Sequence, residues 1–274
     1  EKDEIDSRKI VSMMIGHKDY KIFERVPNLK QHKEMLRVED LHTNKLKGIN
    51  FSINSGEILG VTGVIGAGKT EIARTIFGLD RLKTGKIYLN GQQFIPQSTK
   101  SIKKGLALVP EERRIQGFVE NFSVKQNITL AYLNKFVNNL FINERLEDEI
   151  SNKRIKELSI KTTGTHQIIR YLSGGNQQKV VISKWLSGNF DVLILDEPTK
   201  GIDINAKRDI YELMHEITLE GKAVLFLSSY LPELLNYCDR IIVIKDGAMV
   251  GEFPATGPKA KEIITHAMLQ GISE

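Results

Sequence analysis

Hydrophobic and polar positions along the chain follow two patterns. Residues 48–53 alternate, with Ile49, Phe51 and Ile53 on one face, as a half-buried strand does. Leu36-Arg37-Val38 alternates in the same way just upstream. Four other runs, 57–62, 192–195, 223–227 and 241–244, are mostly apolar and of strand length. Such unbroken runs suit a sheet covered on both faces. Helical patterns lie at 69–77, stopped by Gly78, and at 205–219 and 231–237. Strands alternating with helices predict a mainly parallel sheet in an α/β fold.

Residues 111–171 break the alternation. They read as helices near 123–133 and 143–158, a small helical subdomain inserted into the α/β core. Residues 1–35 differ again, with mixed charge, a short helix near 9–15, and a linker through Val26-Pro27-Asn28.

Composition narrows the classes. The chain has 274 residues, 41% hydrophobic and 27% charged, enough for a sizeable core without disulfides or a structural metal. One cysteine, Cys238, excludes a disulfide framework and reads as a small packed side chain. The six histidines show no metal-ligand spacing. No apolar stretch approaches a membrane span, and the acidic start, Glu-Lys-Asp-Glu, is no signal peptide. With no initiator Met, the chain reads as a piece of a longer protein. The net charge of +5 is spread over scattered basic residues, a solvated surface rather than a nucleic-acid stripe.

Three segments carry chemistry. Gly63-Val64-Ile65-Gly66-Ala67-Gly68-Lys69-Thr70 follows an apolar strand and opens a helix, the context a phosphate loop requires. Its glycines let successive N–H groups converge on a phosphate, and the helix adds its positive end. Lys69 is placed on the β- and γ-phosphates and Thr70 on Mg²⁺, with Glu71 next in the same set. Val192–Leu195 then runs into Asp196-Glu197, two carboxylates at the end of a buried strand. Asp196 is assigned to Mg²⁺ and Glu197 to polarising the attacking water as general base. Leu172-Ser173-Gly174-Gly175-Asn176-Gln177-Gln178 precedes a helix and offers a hydroxyl and N–H groups to a second anion.

This third segment resembles the signature of ATP-binding cassette ATPases, over residues 36 to about 253. The resemblance implies a P-loop cassette with a RecA-like mixed sheet core, an antiparallel β subdomain and a helical subdomain at about 111–172. It implies ATP and Mg²⁺ as ligands. In the family two cassettes face head to tail, so Ser173, Gly174, Gly175 and Asn176 would complete the partner's nucleotide site. Asp203 in Gly201-Ile202-Asp203 resembles the carboxylate that crosses that interface. The finer match, through Glu112-Arg113-Arg114 and Ser228-Ser229, is to ATPases of importers for ribose, arabinose, xylose or galactose, which fuse two cassettes. This chain resembles the C-terminal cassette, with residues 1–35 as tail and linker. The implied partners are the first cassette and membrane permease subunits, on the cytoplasmic face of the membrane, with no nucleic acid. Two other classes stay open: an ATPase of nucleic-acid or translation machinery, and a regulatory half without turnover.

Three departures from the family pattern stand out. Glu111 replaces the usual Gln at the start of the insert, and Ser229 replaces the usual His that bonds the γ-phosphate. The adenine-stacking aromatic is missing, with His42 the one planar candidate. The expectation is a site that binds ATP and turns it over slowly, with Glu197, Ser229 and Glu111 as its catalytic set. Trp185 reads as packing.

Overall fold

The computed structural model describes residues 33–138, 141–257 and 259–270. The proposed tail, linker and short helix of residues 1–32 lie outside the described residues.

Two sheets organise the chain. The first joins β1 (Glu34–His42), β2 (Ile49–Asn54), β4 (Thr84–Leu89) and β5 (Gln92–Phe94) in the order β2-β1-β4-β5. It is antiparallel throughout. The alternation expected of β2 holds, with Ile49, Phe51 and Ile53 buried. The second sheet has the order β12-β11-β3-β10-β9-β6. It contains β3 (Ile58–Thr62), β6 (Leu106–Val109), β9 (Val192–Asp196), β10 (Ala223–Leu227), β11 (Arg240–Lys245) and β12 (Ala248–Pro254). All neighbours are parallel except β11 and β12. Strands β3, β6, β9 and β10 are buried at every position. They are the apolar runs that periodicity could find, apart from β6, four residues long, which the sequence reading passed over.

Helices α1 (Lys69–Phe77), α2 (Ser98–Lys103), α5 (Gly174–Leu186), α6 (Ile204–Leu219), α7 (Leu231–Tyr237) and α8 (Ala260–Gln270) pack on this sheet, whereas α3 (Val124–Thr129) and α4 (Glu144–Glu157) of the insert pack on α5 and on each other. Gly78 ends α1 with φ 85°, donating its N–H to Arg74 and Thr75 carbonyls. Within the insert, the pattern at 123–133 resolves into α3 and a short 3₁₀ stretch, Leu130–Lys135. Ser123 and Gln126 form a reciprocal capping box at its start. The insert also holds a hairpin, β7 (Val137–Asn138) with β8 (Phe141–Ile142), too short to leave a pattern. Trp185 is buried edge-on against Phe77 and Tyr132, and Cys238 is buried, so both pack.

The parallel order sets the site. β3, β9 and β6 deliver their C-terminal ends to one edge, where ligands bind in open α/β sheets. Thr62-Gly63, Asp196-Glu197 and the turn at Glu111 therefore meet.

Candidate functional site

The turn leaving β3 is forced by close contacts. A Cβ on Gly63 would stand 2.2 Å from the Ile244 carbonyl oxygen, so only glycine fits. Gly68 caps α1 at φ 113°, a left-handed conformation that disfavours a side chain. No side chain caps α1, which leaves its first-turn amides available to an anion. Lys69 folds back over the turn. Its ammonium donates to the Gly63 carbonyl at 2.9 Å and lies 4.0 Å from Glu197 Oε1. Burial pulls its pKa down, while Glu197, Asp196, Glu111 and Glu71 pull the other way.

The acidic half comes from β9 and β6. Asp196 is 2% exposed, and burial pushes its carboxyl up to about 7, against the Thr70 hydroxyl and Lys69. Its Oδ1 is buried without a hydrogen-bond partner. Glu197 stands at φ 46°, a strained non-glycine conformation, and its N–H donates to the Leu227 carbonyl at 2.9 Å. That turn directs its carboxylate to Ser229, which donates both its N–H, at 2.7 Å, and its hydroxyl to Oε1. Glu111 Oε2 accepts from the Thr70 hydroxyl at 3.4 Å, and Oε1 accepts from Lys200 at 2.7 Å. Glu71 pairs with Lys45.

Lys69, Thr70, Glu71, Glu111, Glu197 and Ser229 share the wall of one cavity of about 680 Å³, which Ile65, Gly66 and Gly68 also line. Glu71, Glu111 and Glu197 lie around Lys69 here, and Asp196 holds an unanswered oxygen. That donor set fits Mg²⁺, which takes one or two protein oxygens and completes its octahedron with phosphate and water. Among the described residues no cluster of three His, Cys, Asp or Glu side chains is disposed to hold a metal by itself.

The third predicted segment stands apart. None of Ser173, Gly174, Gly175, Asn176 or Asp203 lines that cavity. Asn176 donates to Ser173 Oγ at 2.8 Å and accepts the Lys161 N–H at 2.8 Å. A Cβ on Gly174 would meet Arg113 at 2.6 Å, and one on Gly175 would meet Ala206 at 2.7 Å. Asp203 caps α6 by accepting from the Asn205 and Ala206 N–H groups. His42 has a ring nitrogen 2.8 Å from Asp40 Oδ1 and does not line the cavity.

Sequence reasoning missed Lys200 and a second network in the same wall, where Thr199, Lys207, Ser228 and Glu233 also line the cavity. Buried Glu233 accepts from Thr199 at 2.8 Å, Lys207 at 3.0 Å and Ser228 at 3.3 Å. The signal for Lys200 was present as the lysine following Glu197-Pro198-Thr199.

A family model described as ABC transporter matches residues 46–200, more than half of the chain. The chain belongs to the ABC transporter family. Two relatives in that family are each 44% identical to it. The "Putative ribose/galactose/methyl galactoside import ATP-binding protein 1" of Rhizobium etli aligns over 91% of this chain and 48% of its own length. The "Ribose import ATP-binding protein RbsA" of Oceanobacillus iheyensis aligns over 94% and 52%. The chain thus spans about half the length of the curated relatives it matches. Among solved structures, a nucleotide-free ATP-binding cassette from an ABC transporter superposes with a TM-score of 0.70 at 21% identity, covering 85% of this chain and 95% of that one. The cassette MJ0796 bound to ADP and Pi also gives 0.70, at 21% identity, over 81% and 100%. These two show the fold, an ABC cassette with its mixed sheet, as the family membership requires.

Proposed function

We propose that the chain is an ATP-binding and ATP-hydrolysing subunit of an importer for a ribose- or galactose-type sugar. The observation that carries this reading is the meeting of Lys69, Thr70, Glu111 and Glu197 in one cavity beneath the N-terminus of α1. The names of the import ATP-binding relatives supply the substrate class. On this reading it is the C-terminal half of a fused two-cassette protein, working with the first cassette and with membrane permease subunits. Among the described residues no helix is long and apolar enough to cross a membrane, so the permease subunits supply the path.

The first-turn amides of α1 and the Lys69 ammonium bind the β- and γ-phosphates. For this, Lys69 exchanges its bond to the Gly63 carbonyl for phosphate oxygen. Thr70 and Asp196 would hold Mg²⁺, which supplies charge neutralisation to the phosphates when bound. Glu197 takes the proton of the attacking water on its carboxylate, an effect of about 10²–10⁴-fold. The Ser229 hydroxyl and N–H fix that carboxylate, so Ser229 acts on the base rather than on the γ-phosphate. The site thereby lacks a cationic donor at that position, and losing one transition-state donor costs about 10²–10³ in rate. Turnover at the Lys69 site is accordingly slow. Ser173, Gly174, Gly175 and Asn176 serve the site of the first cassette, and Asp203 faces it.

Calorimetric titration with Mg-ATP tests this. Saturable binding with little continuing heat is the expected trace. Absence of binding overturns the nucleotide reading. Sustained heat abolished in Glu197→Gln overturns the slow-turnover assignment. A regulatory half without turnover is the second reading, favoured by the same double engagement of Glu197 by Ser229, and a baseline with no residual heat would select it.

A further inference from the structure

Glu111 raises a charge problem that the phosphate site itself does not answer. Its Oε2 is 3.4 Å from the Thr70 hydroxyl, close to where the proposed phosphates and Mg²⁺ would sit. A carboxylate there repels phosphate unless a cation offsets it. Lys200 provides that cation, 2.7 Å from Glu111 Oε1. The Lys200 backbone is held from both sides. Its N–H donates to the Glu197 carbonyl at 3.1 Å, and its carbonyl accepts from Arg113 Nη1 at 3.0 Å. Arg113 Nη2 reaches the Gly201 carbonyl at 3.4 Å and lies 2.6 Å from where a Cβ on Gly174 would be. Arg113 in turn follows Glu111 by two residues, and its N–H donates to the Glu111 carbonyl at 3.1 Å. The contacts close a ring. One side is the turn that opens the helical insert, and the other is the loop after Glu197.

We propose that Glu111, Lys200 and Arg113 form a clasp between these two segments, in which Lys200 is a positioning residue that offsets Glu111 beside the phosphate site. The proposal rests on the nucleotide reading given above. It explains how glutamate is tolerated at a position where an amide would bring no charge. Lys200 is two-thirds exposed, so replacing it does not disturb the core. The pair's bearing on an incoming phosphate is therefore separable from its bearing on folding.

Binding of ATP is measured by calorimetry with excess Mg²⁺ and again in chelator without metal, for the unaltered chain, Lys200→Met, Lys200→Arg, Glu111→Gln and the Lys200→Met/Glu111→Gln double variant. An unoffset carboxylate about 6 Å from a phosphate charge at intermediate dielectric is worth about tenfold. Lys200→Met is expected to weaken metal-free ATP binding about tenfold and Mg-ATP binding less than about twofold, since the metal then offsets Glu111. Adding Glu111→Gln restores metal-free binding, and Lys200→Arg retains it. Amide exchange across residues 111–117 of the nucleotide-free chain rises in Lys200→Met, a readout that needs no ligand. Equal weakening with and without metal, or no rescue by Glu111→Gln, overturns the clasp while the nucleotide reading stands. Failure of the unaltered chain to bind ATP in either condition overturns the nucleotide reading and the clasp with it.

Discussion

The Lys69 cavity and the Ser173–Asn176 segment treat their polar groups in opposite ways. In the cavity, several charges are gathered around one buried ammonium, and one carboxylate oxygen is left without a partner. Asp196 Oδ1 has no hydrogen-bond partner, four carboxylates act on one ammonium, and Glu197 is held at a strained φ. In the signature segment, Asn176 is satisfied by Ser173 and Lys161, and Asp203 by the start of α6. The cavity is built to be completed by something small and charged. The segment is satisfied within itself, with Ser173 exposed at a helix start. On the proposed reading, the same chain carries one nucleotide site of its own and one segment that it lends to the first cassette.

Hydrolysis gives the sharpest way to break this comparison. Glu197→Gln is expected to lower whatever turnover the chain shows by about 10²–10⁴-fold while leaving ATP binding in place. Ser229→Ala, which removes one of two donors to the same oxygen, is expected to cost only about fivefold. A Ser229→Ala effect as large as that of Glu197→Gln would move Ser229 from support into the reaction itself. Phosphate release and calorimetric binding, measured on the same samples, separate the two.

Binding comes next in size. Lys69→Ala removes charge-assisted bonds to two phosphates and is expected to weaken ATP binding about 100-fold. Ser173→Trp, outside the cavity, is expected to change the binding of this chain by less than about twofold. Comparable losses in the two variants would mean that one chain uses both segments at once.

Much of this contrast was legible beforehand, and the missing parts share a cause. The phosphate loop and β9 could be read because their chemistry is local: a glycine turn between a strand and a helix, and a carboxylate pair ending an apolar run. The fold class followed from four buried strands whose length and flanks are distinctive. Lys200, Arg113 and Glu233 could not be assigned because their partners are distant in sequence. Lys200 meets Glu111 89 residues away, and Glu233 meets Thr199 across 34. Residue type predicts a charge, whereas only the β6-β9-β10 order determines which charges meet. His42 shows the converse, a residue whose shape suggests more than its surroundings do. It has the right shape for a base platform, but its ring is turned to Asp40.

Folding stability extends the comparison to the most buried carboxylate lining the cavity. Glu233 is 4% exposed and accepts three hydrogen bonds, so Glu233→Ala would strand Lys207 and two hydroxyls. Denaturant unfolding is expected to show a loss of about 3 kcal/mol. Asn176→Ala, on the satisfied but half-exposed segment, is expected to cost about 1 kcal/mol. Reversal of that order would show the segment, not the cavity, to be the more tightly built.

A pH-dependent effect separates two sheltered lysines. Lys69 lies among carboxylates that hold part of its charge in place. Lys184, on the helix that follows Ser173, donates to the Gly117 carbonyl at 2.7 Å and lies 5.2 Å from the Trp185 ring centre. Among the described residues no carboxylate pairs with it, and burial alone brings its pKa from 10.5 down to about 8. Between those two values the unfolded chain binds a proton that the folded chain has released. Stability from this group therefore rises with pH across the window, and is lowest below pH 8 where both states are protonated. Relative to Lys184→Met, the unaltered chain is expected to gain about 2 kcal/mol between pH 8 and 10. Paired unfolding curves at both pH values measure this, and parallel curves for the two proteins would mean that the Lys184 ammonium keeps its water.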